Sequence, residues 1–278
     1  MLALYIGLPL LLILVGAWLF LIATPKGEGL EGLLKRKIAH RGLHGEGRGE
    51  LEGEPYAAEN SMTAFRRAMK AGYAIEIDVH TSLDGVVVIH HDADLKRVEG
   101  IDKKVKELTA EELAGVSLSG TSDGVPTLRE LLDTVNGEVP ILIEIKEEGS
   151  DHTTTEKLVE ELRSYSGEYY IQSFNPISLG VVKKLLPEAK RGFLCDHHTV
   201  NAEHKALKFH LLERMLLNVV ARPHFISMEK NQSKLFPLPL IKRLFRPALI
   251  CWTVRSPEEE DAAFKAGFEN IIFENYNA

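Results

Sequence analysis

Cysteine is nearly absent: two residues, Cys195 and Cys251, in a chain of 278 cannot build a disulfide framework. Read as small buried hydrophobes, they fit a reducing compartment. A basic excess is missing too, and the net charge of −7 argues against a nucleic-acid binder, whose surface needs a cationic face. With 45% hydrophobic residues, 12 prolines and 22 glycines, disorder and collagen-like repetition are excluded. No internal repeat or low-complexity tract occurs.

Charge is absent altogether from residues 2–23, a run that ends at Thr24-Pro25-Lys26. At about 1.5 Å per residue it reaches about 33 Å, enough for a hydrocarbon core of about 30 Å even with a kink at Pro9. A cleaved signal peptide should begin with Lys or Arg, carry a shorter apolar core and finish with small residues at the cut. None of these is clear, so a retained single-pass transmembrane helix is expected. No basic residue precedes the run, whereas Lys26, Lys35, Arg36 and Lys37 follow it. The positive-inside bias then leaves the C-terminal domain on the cytoplasmic side. The expected division is an anchor at 1–25, a juxtamembrane linker at 26–36 and one domain at 37–278.

Short β-branched and aromatic runs at 37–41, 74–80, 86–91, 140–146, 169–173, 191–195, 224–228, 249–254 and 270–274 read as strands. Helical periodicity at 61–71, 127–135, 154–164, 177–186 and 257–266 fills most gaps. The gap Thr81-Ser82-Leu83-Asp84-Gly85 is too short for a parallel crossover, whereas an Asp-Gly turn closes a hairpin. The run at 86–91 therefore folds back antiparallel. Eight strands with long connections remain, which is the arithmetic of an α/β fold of the (β/α)8 TIM-barrel type with an insertion at about 80–125.

Alternation in Ala74-Ile75-Glu76-Ile77-Asp78-Val79 sends Ile75, Ile77 and Val79 toward the helices, and Glu76 and Asp78 into the barrel. Ile141-Leu142-Ile143-Glu144-Ile145-Lys146 repeats the pattern and delivers Glu144 and Lys146 inward. A buried Arg or Lys could neutralise the carboxylates. Alternatively, three hard oxygen ligands suit one divalent cation, Mg2+ or Ca2+, better than Zn2+. His40-Arg41-Gly42 ends the first barrel strand and His91-Asp92 ends the hairpin, at the face where barrel active sites are built. Cations gather phosphate oxygens, and two histidines divide acid and base duties. The set suggests phosphodiester cleavage.

Together, His40-Arg41-Gly42, Glu59-Asn60-Ser61, Glu76-Ile77-Asp78-Val79, Asp84-Gly85, His91-Asp92-x-x-Leu95-x-Arg97, Pro126-Thr127-Leu128, Glu144-Ile145-Lys146, Ser173-Phe174 and Trp252-Thr253-Val254 carry a family resemblance. The sequence resembles the glycerophosphodiester phosphodiesterases, in order from about Ile38 to Glu274. The resemblance implies a barrel with a small insertion after the second strand and hydrolysis of glycerophosphodiesters to glycerol 3-phosphate and an alcohol. It implies that Glu76, Asp78 and Glu144 bind one divalent metal, that His40 and His91 exchange protons, and that Arg41 and Lys146 hold the phosphate. Glu59, Ser173, Phe174 and Trp252 are further pocket candidates. Alternatives are a lysophospholipase D acting on membrane lysophospholipids, and a tethered binding barrel without turnover.

Two departures from the family pattern stand out. His90 precedes His91, and the register after Gly85 selects His91 while a strand turns His90 the other way. The last strand ends Ile271-Ile272-Phe273-Glu274-Asn275, where the family usually shows Thr-Asp. Residues 234–246 mix large apolar and basic side chains, suiting either a membrane interface or an ordinary barrel helix with snorkelling cations. For His197, His198, His204 and His210 an amphipathic barrel helix is the expectation rather than a metal site.

Overall fold

The structure is a computed structural model that describes residues 2–24, 27–46, 53–147, 151–195, 215–230 and 237–278, with backbone alone for 2–9. His197, His198, His204, His210 and residues 234–236 lie outside these.

The strands are β1 (Ile38–Ala39), β2 (Ala74–Thr81), β3 (Val87–Ile89), β4 (Ile141–Ile145), β5 (Tyr169–Ser173), β6 (Lys190–Cys195), β7 (Phe225–Met228), β8 (Ala248–Val254) and β9 (Asn270–Phe273). The helices are α1 (Leu2–Ile22), α2 (Glu31–Lys35), α3 (Met62–Lys70), α4 (Lys96–Glu99), α5 (Ala110–Ala114), α6 (Leu128–Val135), α7 (Thr153–Leu162), α8 (Pro176–Leu185), α9 (Asn218–Ala221), α10 (Leu238–Phe245) and α11 (Pro257–Lys265). Parallel neighbours run β1-β9-β8-β7-β6-β5-β4-β2, and β1 pairs with β2 to close the barrel. Among the described residues β3 is the only antiparallel member, joined to β2 with Thr81 opposite Val87. The hairpin argument therefore holds, and the Asp-Gly turn is visible: Gly85 takes φ +81, and Ser82 Oγ donates to Asp84 Oδ1 at 2.6 Å.

Ile75, Ile77 and Val79 are fully buried between sheet and helices. Local chemistry sets helix starts. Thr127 caps α6 by accepting from Glu130 N while the Glu130 carboxylate returns to Thr127 N, satisfying otherwise orphaned donors. Beyond β3 a second apolar cluster, including Val88, Leu95, Leu113 and Val125, is built largely by the insertion.

At the other end of the barrel, α2 lies beneath the strands. Leu30 and Leu33 pack with Ile38, Ala74, Leu142 and Phe225, near the amino-terminal ends of their strands. Asn270 Nδ2 donates to Leu33 O at 2.6 Å and to Arg36 O at 2.8 Å.

The expectation of a bilayer-spanning helix needs correction: among the described residues, no helix is long and apolar enough to cross a membrane. An uncharged helix does form over Leu2–Ile22. Its last turns also belong to the barrel. Ile22 is fully buried, and Trp18 and Leu19 pack on the core. Asn218 Nδ2 donates to Ile22 O at 3.3 Å, and Arg222 Nη1 donates to Phe20 O and Ala23 O at 3.1 Å each. The segment around 234–246 resolves toward the ordinary reading over its described part. Leu238 and Ile241 of α10 are buried, and Lys242 Nζ donates to Gly267 O at 2.7 Å.

Candidate active site

Glu76 and Asp78 project from β2 and Glu144 from the neighbouring β4, where Asp78 pairs with Glu144 in register. One carboxylate oxygen from each lies within 4.8 Å of the others, and all three residues are buried. Arg41 follows β1 in a left-handed conformation (φ 55), which a non-glycine residue adopts only when its surroundings enforce it. That turn aims its backbone N–H at Glu76 Oε2, 3.0 Å away. Gly42 follows at φ +79, and a Cβ there would come within 2.9 Å of Ala64 and Phe65. Only glycine lets the loop pass α3 so closely.

The counter-charges are specific. Lys146 Nζ stands 3.1 Å from Asp78 Oδ1, and Arg41 Nε lies 3.5 Å from Asp78 Oδ2. Asn60 Nδ2 donates to Asp78 Oδ2 at 2.9 Å. Burial would raise the Asp78 carboxyl, but Lys146, His91, Arg41 and the Asn60 bond together hold it well below the usual range. Glu76 goes the other way, raised by burial and by the Asp78 and Glu144 charges. Burial, opposed by Lys146, pushes Glu144 up to about 7. Two of the three acids thus favour keeping protons, so about two positive charges are wanted at the triad. A divalent ion meets that demand with the all-oxygen donors such ions prefer. The residues fit a bound divalent cation.

Both imidazoles are held at Nδ1 by a carboxylate. His40 Nδ1 lies 2.6 Å from Glu274 Oε2, and His91 Nδ1 lies 2.6 Å from Asp92 Oδ1. Burial lowers the pKa of each ring, and neighbouring acids offset this only in part. His90 turns away from the triad into the insertion, between Asp92 O at 2.8 Å and Glu99 Oε2 at 3.3 Å.

A chain of ion pairs runs outward. Arg41 Nη1 donates to Glu59 Oε1 at 3.0 Å, Arg97 Nη2 donates to the same oxygen at 2.5 Å, and Arg97 Nε donates to Asp92 Oδ2 at 2.5 Å. Glu59 therefore couples Arg41 to the support of His91. A cavity of about 1040 Å3 opens over the site, with His91, Glu144, Lys146, Ser173 and Phe174 in its wall. The Ser173 hydroxyl is engaged by backbone: it donates to Ile145 O at 2.9 Å and accepts from Asn175 N at 3.1 Å. Trp252 meets Phe174 edge-on, with ring centres 5.9 Å apart, and its indole N–H is buried without a hydrogen-bond acceptor among the described residues. Sequence reasoning assigned no role to Asn60, Asp92, Arg97 or Glu274. The first three sit inside quoted motifs, and Glu274 stood out only as a departure.

Residues 40–278 match the model of the glycerophosphoryl diester phosphodiesterase family. The chain belongs to that family. A glycerophosphodiester phosphodiesterase of Caldanaerobacter subterraneus subsp. tengcongensis is 32% identical over 250 residues, 84% of this chain and 92% of that protein. A lysophospholipase D of Rattus norvegicus is 32% identical over 149 residues, which is 49% of this chain and 43% of that protein. Among solved phosphodiesterases, the fold is shared with an Oleispira antarctica enzyme in complex with the product sn-glycerol-3-phosphate. That structure has a TM-score of 0.68 at 24% identity, covering 86% of this chain and 92% of the other. A Thermotoga maritima glycerophosphodiester phosphodiesterase gives a TM-score of 0.63 at 24% identity, covering 86% and 94%.

Proposed function

We propose that this family member hydrolyses glycerophosphodiesters to glycerol 3-phosphate and an alcohol, with His40 and His91 as the proton-exchanging pair. The observation that carries this reading is the buried carboxylate triad flanked by Arg41, Lys146 and two carboxylate-held imidazoles. Glu76, Asp78 and Glu144 would hold one divalent cation, Mg2+ or Ca2+, which when bound supplies charge neutralisation at phosphoryl oxygens. Arg41 and Lys146 add fixed positive charge there, worth most in a water-poor site. One imidazole removes the proton from the neighbouring glycerol hydroxyl as its oxygen attacks phosphorus. The other gives a proton to the departing alcohol oxygen. Water then opens the cyclic phosphate, with the two rings exchanging roles. Tethering of the nucleophile within the substrate supplies proximity.

Membrane attachment through α1, with the barrel on the cytoplasmic side, is a second part of the proposal. Its support is the uncharged 21-residue helix and the exposure of Leu10 through Val15, at 42–66%, an apolar stretch that water solvates poorly. The same stretch favours lysophospholipids as a second substrate class, as in the lysophospholipase D relatives.

The test is a panel of glycerophosphodiesters with and without an acyl chain, run with Mg2+, Ca2+ or EDTA, scoring released alcohol. EDTA, His40→Ala and His91→Ala should each abolish release. Turnover that survives all three would overturn the reading, and absence of turnover in the unaltered protein would favour a silent tethered barrel.

A further inference from the structure

Within the departure at the end of the last strand, Phe273-Glu274-Asn275 where the family usually shows Thr-Asp, Glu274 lands beside a proton-transfer group. Closure of the barrel sets β9 against β1, with Ala39 opposite Phe273 and His40 N donating to Phe273 O at 3.0 Å. Residues 40 and 274 therefore leave their strands at the same level of the catalytic mouth. We propose that Glu274 is the positioning residue of His40: its carboxylate accepts the hydrogen bond from Nδ1–H, fixing the tautomer in which Nε2 keeps the lone pair offered to substrate. The assignment rests on the phosphodiesterase reading above for its consequence in turnover, not for the geometry.

The carboxylate is itself fixed at both oxygens. Oε2 lies 2.6 Å from His40 Nδ1, and Oε1 accepts from Arg255 Nε at 2.7 Å. Glu274 N donates to Val254 O at 3.0 Å, which locks the backbone that carries it. The two side chains are 16% and 12% exposed, so water competes weakly for their bond. A second ring, His44, stands 3.8 Å from Oε2, too far for a hydrogen bond. Burial would raise the Glu274 carboxyl, but His40, His44 and Arg255 hold it far below the usual range. An ionised carboxylate only accepts, so the proton on the short bond resides on Nδ1. The groups that act electrostatically on the ring are Glu274, Arg41 and Asp78, with His44 and Arg255 one contact away at the Glu274 carboxylate. Of these, Glu274 alone makes a hydrogen bond to the ring among the described residues.

A carboxylate in this position acts in two ways. It holds the ring in one orientation and tautomer, and it stabilises the imidazolium formed when Nε2 takes a proton. Neither action requires Glu274 to touch substrate.

The experiment uses the full chain with Mg2+ or Ca2+. Glu274→Gln keeps the shape and removes the charge. Its kcat should fall about 10²-fold or more while KM stays within about threefold, and the acid limb of the kcat/KM profile should move to lower pH, since Glu274 raises the His40 pKa. Glu274→Asp, which keeps the charge on a shorter stem, should fall between the two. The melting temperature reports any folding loss separately. Independently of turnover, 15N-histidine NMR of the unaltered protein should show His40 with its proton on Nδ1. A His40 proton found on Nε2, or a Glu274→Gln enzyme within about threefold of the parent kcat, overturns the proposal. If the unaltered protein hydrolyses no glycerophosphodiester, the phosphodiesterase reading fails, and the tautomer measurement still decides the role of Glu274.

Discussion

The ammonium of Lys146 lies 2.5 Å from Glu144 Oε1, two positions along the same alternating segment, and reaches on to Asp78 across the strand pair. Burial would lower its pKa, but Asp78 and Glu144 outweigh that and hold it above the ordinary lysine range. A permanent cation thus shares the triad and faces the cavity. Lys146→Met should lower kcat/KM about 10²- to 10³-fold, the scale of losing one charged donor at the phosphoryl group. Calorimetry should still detect divalent-cation binding in this variant, because the three carboxylates remain.

Cation binding should depend on pH with a definite sign. Glu144, pushed up to about 7, and Glu76, raised by burial and its acidic neighbours, hold protons that a divalent ion must displace. Apparent affinity should climb as pH rises through about 7, where Glu144 gives up its proton. Titration calorimetry at pH 6 in buffers of different ionisation enthalpy should register proton release, and less at pH 8 by the share that Glu144 contributes. Glu76→Gln should remove most of the affinity at either pH.

His90 and Glu99 form a buried ion pair, with side chains 3% and 1% exposed. Burial opposes the charge on His90, but the Glu99 and Asp92 bonds raise its pKa above the usual 6.5. The stabilisation is therefore complete below that ordinary value and is lost as pH rises through the raised one. Leaving one charge of a buried pair without its partner costs about 3–5 kcal/mol, or about 6–20 °C in melting temperature for a chain of this size. Glu99→Gln should show that loss at pH 6 and a smaller one at pH 9, followed by calorimetry.

Leu12 and Leu14 on α1 are 63% and 58% exposed, so arginine at either place costs the barrel little. An arginine near the middle of a membrane-embedded helix costs about 2.5–3.5 kcal/mol. If α1 attaches the protein to membranes as proposed, Leu12→Arg combined with Leu14→Arg should shift it from vesicle pellet to supernatant in sedimentation, while turnover of a water-soluble glycerophosphodiester stays unchanged; an unaltered protein that stays in the supernatant overturns that attachment.

The barrel was legible because two periodicities are written in local sequence. The five-residue gap after His80 permitted only a hairpin, and alternation in β2 and β4 separated Ile75 and Ile77 from Glu76 and Asp78. The supports of the site were less legible, because they depend on closure and on side-chain reach. Glu274 meets His40 only once β9 joins β1, across 234 positions of chain. Arg97 meets Glu59 only when the insertion folds over the mouth. Helix α1 shows the converse limit: composition reported its apolarity, but Asn218 and Arg222, which hold its end, lie about 200 positions away.

Leu30 and Leu33, closed in beneath the strands, bear on how a shortened protein should be cut. Excision at Lys37, the first residue of the sequence-expected domain, would strip the cylinder of its floor and leave Phe225 and Ile272 facing water. A boundary at Gly27 keeps that floor, along with its backbone bond to Arg246 O.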